Sequence, residues 1–303
     1  MRKINLIKSG EIDKVKWDSC IQNSVNRKVY AFSWYLDIVS SYKWDALVYG
    51  DYKLVLPIVF KKILIFKKIY HPFFCQQLGP FSSDLSLLND DQLLPDILDY
   101  LDRNYRKFDF SINHYCASST KNILHDYPKI NYVERVNLEL DLGSDYNAIY
   151  LNYNKNTKRN LKKSNHYNFQ IKEIFDVSWF VSRYKKNVGY RSNLKNQHYH
   201  NMCSLIQICI NKNKGFLVGL YDNLNNIVAS AFVLSCFDRD ILLFHFSNQN
   251  MKINIMTILI DKYISINSSK KKFLDFEGSS IPSIKRFYKG FGSVERNYIH
   301  IIK

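Results

Sequence analysis

Two carboxylates stand near the end of a strand-forming run, Leu274-Asp275-Phe276-Glu277-Gly278-Ser279. A carboxylate at the end of a central strand is partly desolvated, which raises its pKa towards the range of a general base. Glu277 is therefore a candidate base. Asp275, two residues earlier on the same strand face, is a second. Each reads equally well as a helix cap or an ion-pair partner. The stretch Phe246 to Met256 offers different chemistry, because there a strand feeds a loop and then a helix start. Free backbone N–H groups and the positive end of the helix dipole suit a phosphate. Such loops use Gly for positive φ; here Asn250 and Asn254 take those places, and Asn is the next residue to tolerate that conformation. Asn248, Gln249 and Lys252 complete the candidate phosphate-binding set. An ordinary polar strand-to-helix turn is the alternative.

A third candidate is the basic cluster Lys158, Arg159, Lys162 and Lys163 on a predicted helix. Residues 158 and 162, like 159 and 163, are helical neighbours, so the cluster presents a broad cationic face, either phosphate-binding or simply solvated. The formal net charge is +16, and residues 1–150 carry 19 Lys and Arg against 18 Asp and Glu. Residues 151–303 carry 24 against 9. Such an asymmetry points to an anionic partner of the second half. Compositional drift in an Asn-, Lys- and Ile-rich sequence would inflate Lys as well, but in both halves alike. His198 and His200 lack an accompanying Cys or carboxylate cluster and read as a solvated loop pair, so no metal is expected. The six cysteines contain no CxxC pair and read as reduced core thiols.

These groups need a scaffold, and 303 residues suffice for one large domain or two ordinary ones. With 46% hydrophobic residues, 22 Tyr and 20 Phe, the chain is neither disordered nor fibrous. No apolar run reaches the length of a membrane span. The opening Met1-Arg2-Lys3-Ile4-Asn5 lacks an apolar signal-peptide core, and a cytoplasmic location is expected. The periodicities predict strands at 3–8, 45–49, 53–60, 68–75 and 108–113 in the first half. Helices are predicted at 11–23, at 34–39 behind an N-cap at Ser33, and at 85–105 with Pro95 as a divider. In the second half strands are predicted at 131–140, 168–174, 215–221, 227–237, 240–246, 272–276 and 294–302. Helices there are expected at 144–163, 177–187, 197–212, 253–266 and 283–289. The fold class is α+β, with a duplicated domain joined near 131–141.

The segments Phe273-Leu274-Asp275-Phe276-Glu277-Gly278-Ser279 and Arg286-Phe287-Tyr288-Lys289-Gly290-Phe291-Gly292 resemble the closing part of the GNAT acyltransferase fold, where a helix carries a Tyr four residues before a Gly. With Leu259-Ile260-Asp261, they look like the C-terminal half of FemABX-like proteins, which are tandem-GNAT transferases. Residues 153–164, YNKNTKRNLKKS, are similar to the basic helix that opens their second domain. In the first half FSWYLDIV, WDALVYGDYKLVLPIVF and PFFCQQLG resemble the first, degenerate GNAT unit. The chain departs from the GNAT pyrophosphate loop in one place: Gln249 is present, but the two glycine positions hold Asn250 and Asn254, or Lys252 and Asn254 in the other register. That departure weakens the case for tight coenzyme A binding and is compatible with an aminoacyl-tRNA donor.

The resemblance implies two GNAT-like domains in tandem, at 1–135 and 136–303, each a mixed central sheet flanked by helices. In the second, the strands are expected to splay after Phe246, with the helix from Ile253 starting at the splay. The implied reaction is acyl or aminoacyl transfer from acyl-CoA or aminoacyl-tRNA to an amine acceptor, with a cell-envelope precursor among the acceptors considered. The resemblance gives Tyr288 the role of acid on the leaving group, with Glu277 as base and backbone N–H groups at the splay holding the oxyanion. The rival reading is a non-catalytic binder of nucleic acid or an anionic surface, built on a decayed GNAT scaffold.

Overall fold

A computed structural model of the chain describes every residue except 1–3, 65, 165, 249–250, 252 and 279–280. The chain divides into two compact units, residues 1–135 with 297–303, and residues 136–296. The first unit holds β1 (Ile4–Ile7), α1 (Lys14–Asn23), α2 (Ser33–Ser40), β2 (Trp44–Tyr49), β3 (Leu54–Ile63), β4 (Phe66–Ile69) and β5 (Phe81–Ser82). It continues through α3 (Leu85–Leu88), α4 (Leu93–Asn104), β6 (Asp109–Ile112) and α5 (His114–Ile123). From β7 (Asn131–Asp141) the chain enters the second unit through α6 (Tyr146–Leu151), α7 (Lys155–Ser164), β8 (Gln170–Ile174), α8 (Val177–Val188) and α9 (Asn196–Asn211). There follow β9 (Gly215–Tyr221), β10 (Ile227–Cys236), β11 (Arg239–Ser247), α10 (Ile255–Asn267), β12 (Phe273–Asp275), α11 (Pro282–Lys289) and β13 (Val294–Ile302).

In the first unit β1 to β4 form an antiparallel run in chain order, and β5 adds to β3. The apolar stretch Leu54 to Phe60 is buried throughout, so both faces of β3 are covered. Ser33 does not cap α2. Its N–H and hydroxyl both donate to Asp18 of α1, at 2.7 and 2.8 Å, so the cap is supplied from another helix. Pro95 does not divide the 85–105 segment, which breaks instead at residues 89–92. Pro95 lies in the first turn of α4, where a missing N–H costs no intrahelical bond. The sequence reading missed α5.

The last seven residues belong to the first unit, which corrects the expected 136–303 boundary. Ile299 to Ile302 pair antiparallel with β6, Ile299 opposite Ile112. Ile299 and Ile301 join the first unit's core. Lys303 fixes the end, its ammonium 2.7 Å from Asp102.

In the second unit the strand order is β7-β12-β11-β10-β9-β8. Helix α10 carries nine buried residues and is apolar almost all round, consistent with deep burial in that unit's core. The expected 144–163 helix is two helices, α6 and α7, separated at residues 152–154. All six cysteines are free thiols, five of them buried.

Candidate active site at the parting of two strands

Strands β11 and β12 run parallel, with Arg239 opposite Phe273, Asp240 opposite Leu274 and Ile241 opposite Asp275. Pairing stops there, while β11 continues to Ser247. The strands therefore part after Ile241 rather than after Phe246 as expected, and among the described residues the far half of β11 has no strand neighbour on its β12 side. The cause is visible on both strands. On β11 the register against β10 jumps, Phe232 facing Phe244 and Val233 facing Leu242, so Leu243 is an extra, bulged residue. A bulge bends its strand and reverses which face the following side chains take. On β12 the chain turns away through Glu277 at φ 57° and Gly278 at φ 74°. A Cβ on Gly278 would lie 2.1 Å from the Val136 carbonyl oxygen, so only glycine fits there.

The bulge matters because it aims His245. Phe244 and Phe246 pack on α8, through Tyr184 and Phe180 respectively. His245 points the opposite way, and its Nε2 lies 2.7 Å from the Tyr288 hydroxyl. Tyr288, 4% exposed, stacks on Phe276 with ring centroids 4.6 Å apart. Burial pulls the His245 pKa down to about 4, so the imidazole is neutral near pH 7. Burial pushes the Tyr288 phenol well above its ordinary value, and the nearby Glu277 charge and Tyr184 push it further. The same influences act on Tyr184, raised to about 12 by burial, then by Tyr199 and Glu277. Electrostatically, then, Glu277, Tyr288 and Tyr184 belong to one neighbourhood at the parted strands.

Asp275 is engaged differently from Glu277. Its carboxylate lies 3.0 Å from the Arg239 guanidinium, which also meets Glu139 at 2.7 Å. Asn137 donates to Glu139 at 2.9 Å and to Asp275 at 3.2 Å. The other Asp275 oxygen accepts the Glu277 backbone N–H at 2.8 Å. Asp275 and Glu277 were expected on one face. The left-handed turn at Glu277 ends the strand alternation, and Asp275 holds that turn from below.

Of the expected phosphate loop, Gln249, Asn250 and Lys252 lie outside the described residues. Asn248 is exposed, and its N–H donates to Val228 at 2.7 Å. Asn254 is the N-cap of α10, accepting from Thr257 N–H at 3.2 Å. The buried Thr257 hydroxyl has no partner among the described residues. Beside Asn248 opens a cavity of about 570 Å³, lined among others by Trp179, Phe246, Arg183 and Lys186.

The basic cluster on α7 lies elsewhere. Lys162 lines a separate cavity, between α6, α7 and α10, that shares no lining residue with the first. The Lys158 ammonium donates to the Leu151 carbonyl at 2.9 Å and sits 5.3 Å above the Tyr150 ring. Arg159 donates to Asn156, and Lys163 is exposed. His198 is no loop residue: it sits in the first turn of α9 and accepts the Lys195 N–H at 2.8 Å. His245, Tyr184, Arg183 and Lys186 were not singled out from the sequence. The signal available for His245 was a lone polar side chain in the apolar run Ile241 to Phe246.

FemX superposes on this architecture with a TM-score of 0.65 at 10% identity, over 97% of this chain and 96% of that one. The chain has a FemABX-like, tandem-GNAT fold. L-PGS from Bacillus licheniformis matches with a TM-score of 0.53 at 12% identity, over 95% and 91% of the two chains. A GCN5-related N-acetyltransferase from Sphaerobacter thermophilus matches at 0.50 and 7% identity, over 99% and 95%. No family model matches the sequence, and no curated protein does. Among the described residues, no helix is long and apolar enough to cross a membrane, and no metal-binding group of His, Cys, Asp or Glu occurs.

Proposed function

We propose that the second unit is an N-acyltransferase that moves an acyl or aminoacyl group from acyl-CoA or aminoacyl-tRNA to an amine. The observation that carries this reading is the His245–Tyr288 hydrogen bond where β11 and β12 part, with Glu277 close enough to shift the phenol. Glu277 takes the proton of the acceptor ammonium, and the freed amine attacks the acyl carbonyl. The oxyanion is held by β11 backbone N–H groups beyond Ile241. As the tetrahedral intermediate collapses and its C–S or C–O bond breaks, Tyr288 gives its proton to the leaving thiolate or ribose oxygen, and the phenolate takes up the second proton of the attacking nitrogen. Neutral His245 donates from Nε2 to the phenol oxygen, which frees the hydroxyl proton for the leaving group and stabilises the phenolate left behind. Asp275 is a positioning residue through the Glu277 N–H. The α10 N-terminus with Asn254, and the Arg183–Lys186 side of the 570 Å³ cavity, take the donor's phosphates.

The test follows label from [14C]acetyl-CoA and, separately, from [14C]aminoacyl-tRNA into a panel of amines including spermidine, lysyl peptides and an amine-bearing cell-wall precursor. Transfer from either donor that Tyr288→Phe abolishes supports the reading. Absence of transfer from both donors, with tRNA bound equally by wild type and Tyr288→Phe, replaces it with the binding-protein reading, for which the Trp179–Arg183–Lys186 cavity is the favouring feature.

A further inference from the structure

The cavity between α6, α7 and α10 encloses about 420 Å³ and is built unlike the site at the parted strands. Its walls are aromatic: Tyr146, Tyr150, Tyr167 and Phe169 line it. Tyr146 and Tyr150 have ring centroids 5.8 Å apart, and Tyr167 stacks on Phe169 at 5.4 Å. Asp261 projects into it from α10, where it is the one acid, followed directly by Lys262, the helix's one base. The Asp261 carboxylate accepts from the Tyr146 hydroxyl at 2.8 Å, and no cation lies within ion-pair distance of it among the described residues. Isolated carboxylates are rarely left enclosed in aromatic surroundings, because their desolvation must be offset.

A second phenol, Tyr153, is buried beside it, 3% exposed. The Tyr153 phenol is raised by burial and then by the Asp261 charge, which places the two groups close together. An anionic acceptor among aromatic faces matches one ligand chemistry, an ammonium group. Lys162 and Lys262 also line this cavity. Two cations against one carboxylate would repel a simple amine and attract a ligand that carries an acid group as well.

We infer that this cavity binds a small zwitterion, its ammonium on Asp261 among the aromatic rings and its carboxylate or phosphate on Lys162 and Lys262. The site is distinct from the acyl-transfer site, since Glu277, Tyr288 and His245 do not line it. Helix α10 links the two, carrying Asp261 in its second turn and the Asn254 cap at its start.

Calorimetric titration of the full chain with glycine, lysine and O-phosphoethanolamine tests the inference, with ethylamine and inorganic phosphate as the two half-ligands. At least one zwitterion is expected to saturate, and both half-ligands to bind about tenfold more weakly or worse. Asp261→Asn, nearly isosteric, should weaken that zwitterion about tenfold or more. Lys162→Gln, on an exposed helix face, should lower affinity without touching the fold, which keeps the test decisive if Asp261→Asn is unstable. Glu277→Gln should leave binding unchanged. The inference is overturned if no zwitterion saturates, if Asp261→Asn and Lys162→Gln both bind as wild type does, or if phosphate alone binds as tightly as O-phosphoethanolamine.

Discussion

Each unit encloses a histidine whose pKa burial lowers to about 4, yet the two are hydrogen-bonded to different kinds of group. In the first unit His71 accepts the Ser111 backbone N–H at Nδ1, 3.2 Å away, which leaves Nε2–H to donate to the Cys75 carbonyl at 2.8 Å. Both ring nitrogens are committed to backbone, so His71 locks two segments together and has nothing left to offer a ligand. In the second unit His245 meets a side-chain hydroxyl, Tyr288, beside two parted strands. Burial alone therefore does not mark a functional histidine. What the other end of its hydrogen bond is attached to makes the distinction.

The largest effect that separates the two is on turnover. Tyr288→Phe removes one hydroxyl from a stacked ring and should leave the melting temperature nearly unchanged. It should lower kcat by about 10²–10⁴, the usual worth of acid–base assistance, with little change in KM. His71→Gln should do the reverse, lowering thermal stability while the remaining folded protein turns over normally. Near wild-type kcat in Tyr288→Phe on a transferred substrate would erase the functional half of the contrast.

Next in size is the ion cluster beneath the site. Arg239 faces two buried carboxylates, Glu139 and Asp275, and Arg239→Ala would leave both without a cation. Breaking a buried pair in this way costs about 3–5 kcal/mol, readable as a loss in the urea midpoint. Since Asp275 also holds the Glu277 N–H, the milder Asp275→Asn should lower kcat with the acidic limb of the pH–rate profile displaced. A catalytic role for Asp275 itself would instead remove that limb.

The two histidines also set an acid limit on stability. Their folded-state pKa lies below the unfolded value near 6.5, so the unfolded chain binds protons first as pH falls. Stability is complete above about pH 6.5 and is lost progressively towards pH 4, by up to about 3 kcal/mol for each histidine. The two contribute alike, since burial lowers both to about 4. Urea melts at pH 7 and pH 5 check this: His71→Gln and His245→Gln should each flatten the dependence by a similar amount.

Much of the scaffold was legible because the signals were local. Hydrophobic periodicity found nearly every strand of the second unit, and the Tyr-to-Gly spacing around Tyr288 carried the fold resemblance. What escaped was set by long-range pairing. The return of residues 297–303 to the first unit depends on Ile299 meeting Ile112 across most of the chain, and no window of sequence contains that. His245 was missed for a related reason: the Leu243 bulge decides which face it takes, and bulges follow from pairing, not from alternation. Arg183 and Lys186 were passed over because their helix looks merely amphipathic, while the denser run on α7 drew attention.

That last difference yields the smallest and most specific expectation. Residues Lys158, Arg159, Lys162 and Lys163 dominate the charge of α7, but the cations beside the end of β11 are Arg183 and Lys186. If the donor's phosphates meet the second pair, Arg183→Gln with Lys186→Gln should weaken donor binding and lower the log–log salt slope by roughly 1–2, since each lost phosphate contact releases about 0.7–0.9 fewer counterions. Lys158→Gln with Lys163→Gln should shift affinity only slightly and leave the slope nearly intact, because these charges are solvated or turned towards Leu151 and Tyr150. Binding of acetyl-CoA and of tRNA measured between low and physiological salt decides between the pairs. An unchanged slope in the Arg183–Lys186 double variant, with a fall in the α7 variant, would move the anion site to α7 and return the role to the cluster that the sequence made most conspicuous.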